Sequence, residues 1–242
     1  MKSQSRTARK SSLASDQPKR RLKAEARVDA ILRAAAALFA EEGLGGTTRQ
    51  IAARLGVTQA LLYKFFPSKD LLIDRVYEAH FRDRWDPAWD ELLVDEAFSL
   101  EERLIRFYTD YGAQANGISV RLFVHAGLAG RPLPGVHGAK LTDRIFSPLI
   151  TGLRSEAGVP TIADRPMMRG ERELCMQLHS SIVFLGIRRH VYQMPMPDDL
   201  GDVVALYVRS FIAGAPKALQ ALHSDDSSWQ SLRVRQLNPA RR

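Results

Sequence analysis

The chain has 242 residues, 45% of them apolar and 26% charged, enough to bury one large core or a small domain joined to a larger one. Its most apolar run, SSIVFLGI at residues 180 to 187, falls far short of the ~20 residues a bilayer-crossing helix needs. No membrane span is expected, and no apolar stretch follows the basic start as it would in a secretory signal. The single cysteine, Cys175, excludes an intrachain disulfide and fits a reducing, cytoplasmic setting.

The net charge of +8 is unevenly spread. Lys2, Arg6, Arg9, Lys10, Lys19, Arg20, Arg21 and Lys23 face only Asp16 in the first 23 residues, so a basic head precedes a mildly acidic body. Such a head suits a polyanion. Residues 1 to 23 are rich in Ser, Lys, Arg and Gln and poor in large apolar residues, and they are expected to lack order of their own. The folded chain should begin near Ala24. From there Val28, Ile31, Leu32, Ala35, Leu38 and Phe39 recur at the spacing of one helical face, and Gly43 stops that helix. The GLGG at residues 43 to 46 follows no strand and precedes no GK[ST], so it reads as a helix stop and loop and not as a phosphate cradle.

Thr47 opens TTRQ, in which a Thr followed three residues later by Gln50 forms a capping box for a second helix. Ile51, Ala52 and Leu55 give that helix its inner face, and Gly56 supplies the positive φ of a tight turn. Val57 plugs the corner. Thr58 caps a third helix running to Phe66, where Pro67 stops it. Ser68 begins a fourth, with Leu71, Leu72 and Val76 as its apolar side.

Two short helices joined by a glycine turn and braced by another helix make a helix-turn-helix. In the segment GVTQALLYKFF, Leu62 and Phe66 lie one turn apart and should anchor inward. Gln59 and Tyr63, like Ala60 and Lys64, are also four apart and share the outward face. Amide, phenol and ammonium groups around a small residue suit a duplex. Gln can bond an adenine edge, Ala permits close approach, and Tyr and Lys reach phosphate oxygens. Leu61, at the margin, either meets a thymine methyl or joins the core.

The stretch TTRQIAARLGVTQALLYKFFPSKDLL, with RVDAILRAAAALFAEEG before it, resembles the N-terminal domain of the TetR family of bacterial transcriptional regulators over about fifty residues. The resemblance implies that Thr48, with Thr47, meets a phosphate at the second helix's N-terminus. It further implies that Thr58, Gln59, Ala60 and Leu61 face the bases and that Tyr63 and Lys69 bond phosphates. Phe65 departs from the His or Tyr common at its position, and Leu61 from a small or hydroxyl residue, so neither the contact at 65 nor the operator sequence carries over.

Beyond residue 80 the periodicity is helical, over segments near 98 to 116, 119 to 130, 137 to 156, 167 to 193 and 198 to 215, with Pro197 and two aspartates expected to start the last. The expectation is an all-α chain. It comprises a basic extension (1–23), a DNA-binding domain (24–82, motif 47–66), a helical regulatory and dimerisation domain (83–222) and a C-terminal tail (223–242). By resemblance the middle helices enclose a pocket for a small apolar or aromatic ligand, with Phe107, Tyr108, Tyr111, Phe123, His125 and Phe146 as candidates. The last two long helices form a homodimer interface. The stripes Leu174, Leu178, Ile182, Leu185 and Val203, Val204, Tyr207, Phe211, Ala215, with small residues at Ser181 and Gly186, agree with that, though a monomeric core could use the same stripes. A dimer matches a palindromic double-stranded operator, its half-sites a whole number of ~10 base-pair turns apart. Trp85 and Trp89 are expected to seal the junction between the two domains.

An enzyme is the competing class. His80, His125, His137, His179, His190 and His223 are dispersed, with no HExxH and no metal-ligand spacing. HSS at residues 179 to 181 lacks the GxSxG turn, and no nucleotide-binding glycine pattern occurs. No cofactor, metal or catalytic residue is expected. A second competitor is a basic helical protein that binds nucleic acid without reading sequence. Its binding would collapse with salt and ignore the operator.

Overall fold

The computed structural model describes the backbone of residues 5–81, 85–131 and 141–224, with side chains from residue 24 onward. The described residues form helices and no strand. The chain divides into two compact units between Ala79 and His80, three residues before the expected boundary.

The first unit begins with α1 (Ser5–Glu42), which packs against α2 (Thr48–Leu55). This helix starts well before Ala24, where order was expected to begin. Residues 5 to 23 contain no glycine and seven lysines and arginines, and each residue added to an existing helix gains a hydrogen bond for one residue fixed. Ile31, Ala35, Leu38 and Phe39 are buried, as their spacing requires. At Gly43 (φ 75°) the chain enters a short 3-10 turn, Gly43–Gly45. A Cβ on Gly46 would stand 3.0 Å from the Leu38 side chain, so the loop lies close on α1. Next come α3 (Gln59–Phe65) and α4 (Lys69–Phe81).

The second unit contains α5 (Ala88–Val94), α6 (Leu100–Ala113), α7 (Gly117–Leu128), α8 (Ser147–Ala157), α9 (Arg169–His190) and α10 (Gly201–Ser224). A π-type turn, Thr142–Phe146, leads directly into α8. The core is built from Leu104, Phe107 and Tyr108 of α6, Leu149, Ile150 and Leu153 of α8, and Cys175, Leu178, Ile182 and Leu185 of α9. Val204, Val208 and Leu219 of α10 complete it. The long helix α10 packs on α6, α8 and α9.

Several boundaries differ from expectation. The last helix starts at Gly201 and not at Pro197, because the Asp199 carboxylate accepts from the Gly201 amide (2.7 Å) just outside it. It continues through Pro216 to Ser224, past the expected end at 215. The short helix α5 has no counterpart among the expected segments. Trp85 and Trp89 belong to the core of the larger unit, where Trp89 stacks edge-on to Phe107 (5.4 Å) and donates to Asp110 (2.8 Å). Residues 132 to 140, expected to include the start of a helix, and the tail from 225 to 242 lie outside the described residues.

Tyr108 is fully buried and its hydroxyl has no hydrogen-bond partner. Burial pushes its pKa well above the usual tyrosine range. An unsatisfied buried hydroxyl costs about 1–3 kcal/mol, so Tyr108→Phe is expected to raise the melting temperature; an unchanged or lower value would show that the hydroxyl contributes to the fold.

Candidate nucleic-acid interface and cavity

The turn between α2 and α3 is set by local chemistry. Thr47 Oγ1 accepts from the Gln50 amide (3.2 Å) while Gln50 Oε1 accepts from the Thr47 amide (2.7 Å), closing the capping box. Gly56 adopts the left-handed conformation (φ 64°, ψ 31°) at the end of α2, where L side chains are strained. Thr58 Oγ1 then accepts from the Leu61 amide (3.2 Å) to cap α3. Phe66 is extended (φ −130°, ψ 90°) before Pro67, which ends the helix. Ser68 Oγ caps the next helix at Leu71 (3.1 Å).

These caps fix which side of α3 faces outward. Leu62 and Phe66 are buried, while Thr58, Gln59, Ala60, Tyr63 and Lys64 are exposed and Leu61 is half-buried. The four residues expected on the outward face, Gln59, Ala60, Tyr63 and Lys64, therefore lie on one exposed surface that carries an amide, a methyl, a phenol and an ammonium. Lys69 is half-buried and its Nζ lies 3.4 Å from the Gly45 carbonyl. Thr47 is exposed, but Thr48 is buried. The Thr48 hydroxyl accepts from Gln59 Nε2 (2.8 Å) and lies 3.2 Å from the Tyr63 hydroxyl. Its side chain is thus turned onto α3, which conflicts with a phosphate contact through that hydroxyl. The α1–α2 packing is tied by Arg54 to Glu41 (2.7 Å) and by Gln50 to Glu42 (2.7 Å).

Arg49 is not among the residues expected at the interface. It is exposed in the first turn of α2, where the helix dipole disfavours a cation.

The family model for bacterial regulatory proteins, tetR family, matches residues 31–76, the span that holds this capped helix pair. This segment is of the TetR family's N-terminal type. Among curated TetR-family relatives, the Tetracycline repressor protein class A from transposon 1721 of Escherichia coli is 38% identical over 85 residues, 32% of this chain and 39% of that protein. The Tetracycline repressor protein class C of Escherichia coli is 36% identical over 87 residues, 33% of this chain and 40% of that protein. The chain therefore spans about two fifths of the length of the curated relatives it matches. The crystal structure of a TetR-like transcriptional regulator from Rhodococcus sp. RHA1 superposes with a TM-score of 0.51 at 17% identity, covering 77% of this chain and 95% of that one. That likeness establishes a shared TetR-like fold.

The part of the chain beyond the matched residues holds a cavity of about 1020 Å³. Trp85, Trp89, Tyr111, Phe123, Met176 and His179 are among the residues that line it. Of the six sequence candidates, Tyr111 and Phe123 reach the cavity. Phe107, Tyr108 and Phe146 are buried in the core instead, and His125 is half-buried but does not line the cavity. Which residue of an aromatic run reaches a cavity depends on how neighbouring helices rotate against it, and helical spacing carries no information on that. His179 had a visible signal, a polar residue beside the buried stripe of Cys175, Leu178 and Ile182.

The charged groups on the lining are largely engaged within the protein. Asp90 accepts from the Trp85 indole (3.0 Å) and pairs with Arg144 (3.7 Å), whose guanidinium also stands 5.0 Å from the Trp85 ring centre. Arg189 donates to the carbonyls of Pro197 and Asp198 (both 3.2 Å), and His190 is 3.2 Å from the Ala115 carbonyl. Burial, with the nearby negative charge of Glu171, pushes the Cys175 thiol far up, so it is no nucleophile. Among the described residues no group of His, Cys, Asp and Glu could hold a metal ion, and no helix is long and apolar enough to cross a membrane.

Proposed function

We propose that the protein is a sequence-specific DNA-binding transcriptional regulator that acts as a homodimeric repressor and is released from a palindromic operator by a small uncharged aromatic ligand. The observation that carries the DNA-binding part is the exposed face of α3. Caps on both sides hold it rigid, and its amide, phenol and ammonium groups surround Ala60. Thr58, Gln59, Ala60 and Leu61 read bases, and Thr47, Tyr63, Lys64 and Lys69 position the protein on phosphates. Thr48 contributes through its backbone amide at the helix N-terminus. The tetracycline repressors to which the segment is similar are repressors by name, which supports the sign of regulation.

The dimer reading rests on α9 and α10, but on only some of the residues first expected, joined by Leu206 and Phe184. Leu178, Ile182, Leu185, Val204 and Ala215 are buried inside the unit's own core. The apolar side chains left for a second copy are Leu206 (61% exposed) and Phe184 (47% exposed), beside half-buried Val203, Tyr207 and Phe211. The ligand reading rests on the cavity. Among its charged groups Asp90 and Arg189 are held by internal partners, so a ligand that pairs with either would have to break those bonds, whereas a flat, uncharged ring system finds aromatic faces. Occupancy shifts the bound and released states by the ligand's differential affinity for them.

Selection of bound sequences from a randomised duplex pool at physiological salt tests the proposal. An enriched palindrome is expected, with a large ratio over random DNA. Binding without enrichment that vanishes as salt rises would instead identify a sequence-blind phosphate binder.

A further inference from the structure

The cavity wall meets solvent beside Trp85. Asp90 and Arg144 both line the cavity, yet their side chains are 46% and 43% exposed, so they stand where the cavity opens. They come from different elements, Asp90 from the first turn of α5 and Arg144 from the π-type turn that leads into α8. The Asp90 carboxylate joins them. It accepts from the Trp85 indole at 3.0 Å and pairs with the Arg144 guanidinium at 3.7 Å, which in turn stands 5.0 Å from the Trp85 ring centre. Each of these contacts is between side chains.

The wall is exposed elsewhere too, but there it is covered or fastened differently. Ser180 and Phe184 are exposed lining residues one turn apart on α9, on the face that the second copy covers in the dimer proposed above. Asp198 and Asp199 are held through the backbone. Arg189 donates to the carbonyls of Pro197 and Asp198 (both 3.2 Å), and the Gly201 amide donates to the Asp199 carboxylate (2.7 Å). Opening the wall there requires the chain to move, whereas at Asp90 and Arg144 a change of side-chain rotamer suffices, and exposed side chains make such changes fast. An exposed ion pair and an exposed cation–π contact are each weak. Together they keep the bridge closed for most of the time without locking it. We propose that Asp90 and Arg144 form a latch over Trp85, and that an uncharged aromatic ligand enters and leaves the cavity by parting them. The inference rests on the ligand reading and adds the route and the two residues that control it.

The test uses the full chain and N-phenyl-1-naphthylamine, an uncharged aromatic probe that brightens in apolar surroundings, followed by stopped flow. A latch that closes equally over an empty and a filled cavity slows entry and exit by the same factor and leaves the equilibrium alone. Arg144→Met, which keeps the apolar stem and loses the charge, should therefore speed entry and exit together by about three- to tenfold, with the dissociation constant unchanged. Asp90→Asn should act in the same direction and less, because the guanidinium still lies over Trp85. Added salt screens an exposed pair, so it should speed entry into the wild type and leave Arg144→Met as it was. Entry into Arg144→Met as slow as into the wild type would overturn the proposal, as would weaker binding without faster entry, which would make these side chains part of the binding surface. The response of the wild type to salt decides even where a variant folds poorly. Failure of the wild type to take up the probe overturns the ligand reading, and the proposal with it; uptake at a rate that neither the substitutions nor salt alter overturns the proposal alone.

Discussion

Glu171→Gln is expected to destabilise the protein by about 3–5 kcal/mol, the cost of leaving one member of a buried ion pair without its partner. Arg154 and Glu171 are 1% and 0% exposed and join α8 to the start of α9 through a two-pronged pair, Nε to Oε1 at 2.8 Å and Nη2 to Oε2 at 2.6 Å. The same carboxylate accepts from the Met168 amide (2.7 Å) and stands 3.1 Å from His223 Nε2 on α10. A glutamine can replace the shape but leaves the guanidinium charge buried. Arg154→Met should cost as much, and the double variant Arg154→Met with Glu171→Leu should lose less than the two single losses combined. Urea unfolding measures all three; additive losses would show that the pair does not act as a unit.

The pair also sets a pH dependence. Burial works against the Glu171 charge, but the bonds from Arg154, the Met168 amide and His223 outweigh it and hold the carboxyl below the usual glutamate range. A depressed folded value means that the contribution is fully present above the ordinary glutamate pKa and is lost as pH falls through the folded one. The stability gap between wild type and Glu171→Gln should therefore narrow on acidification. A gap that widened there would contradict this sign.

Leu62→Ala is the second large effect, about 2–5 kcal/mol from lost burial and the cavity left behind. Leu62 is fully buried and is the inward anchor of a helix of seven residues, too short to hold its form without packing. The variant should lose operator binding because α3 no longer presents a fixed face, and hydrogen exchange across residues 59 to 65 should speed up. Lys64→Ala, on the exposed side of the same helix, is the contrast: unchanged exchange with weaker binding to all sequences and a shallower salt dependence. Fast exchange in both, or in neither, would separate anchoring from packing of Leu62.

What the sequence made legible in these two regions differs for a physical reason. The helix pair is specified by contacts three or four residues long: Thr47 with Gln50, Gly56 at a left-handed turn, Thr58 with Leu61, Pro67 as a stop. Such signals can be read in a linear string, and they place Leu62 inward and Gln59 outward. The Arg154 to Glu171 pair joins residues 17 apart across a loop, and no spacing rule announces it. The cavity fails for a related reason. Phe107 and Tyr111 share a face of α6, yet Phe107 is sealed by Trp89 and Tyr108 while Tyr111 reaches open space. The Thr48 to Gln59 bond also crosses two helices, so the resemblance that assigns Thr48 to phosphate could not reveal that its hydroxyl is already engaged.

The loop between α8 and α9 wraps around one side chain. Arg154 Nη1 reaches the carbonyls of Pro160 (3.0 Å), Thr161 (2.7 Å) and Arg165 (2.6 Å), and Nη2 that of Pro166 (3.4 Å), with the Glu171 carboxylate closing the ring. Several backbone oxygens and a carboxylate around one cation is the donor set with which loops bind calcium. Here the cation is covalently attached to the chain, so the loop has its counter-ion at fixed stoichiometry, and a chelator finds nothing there to remove.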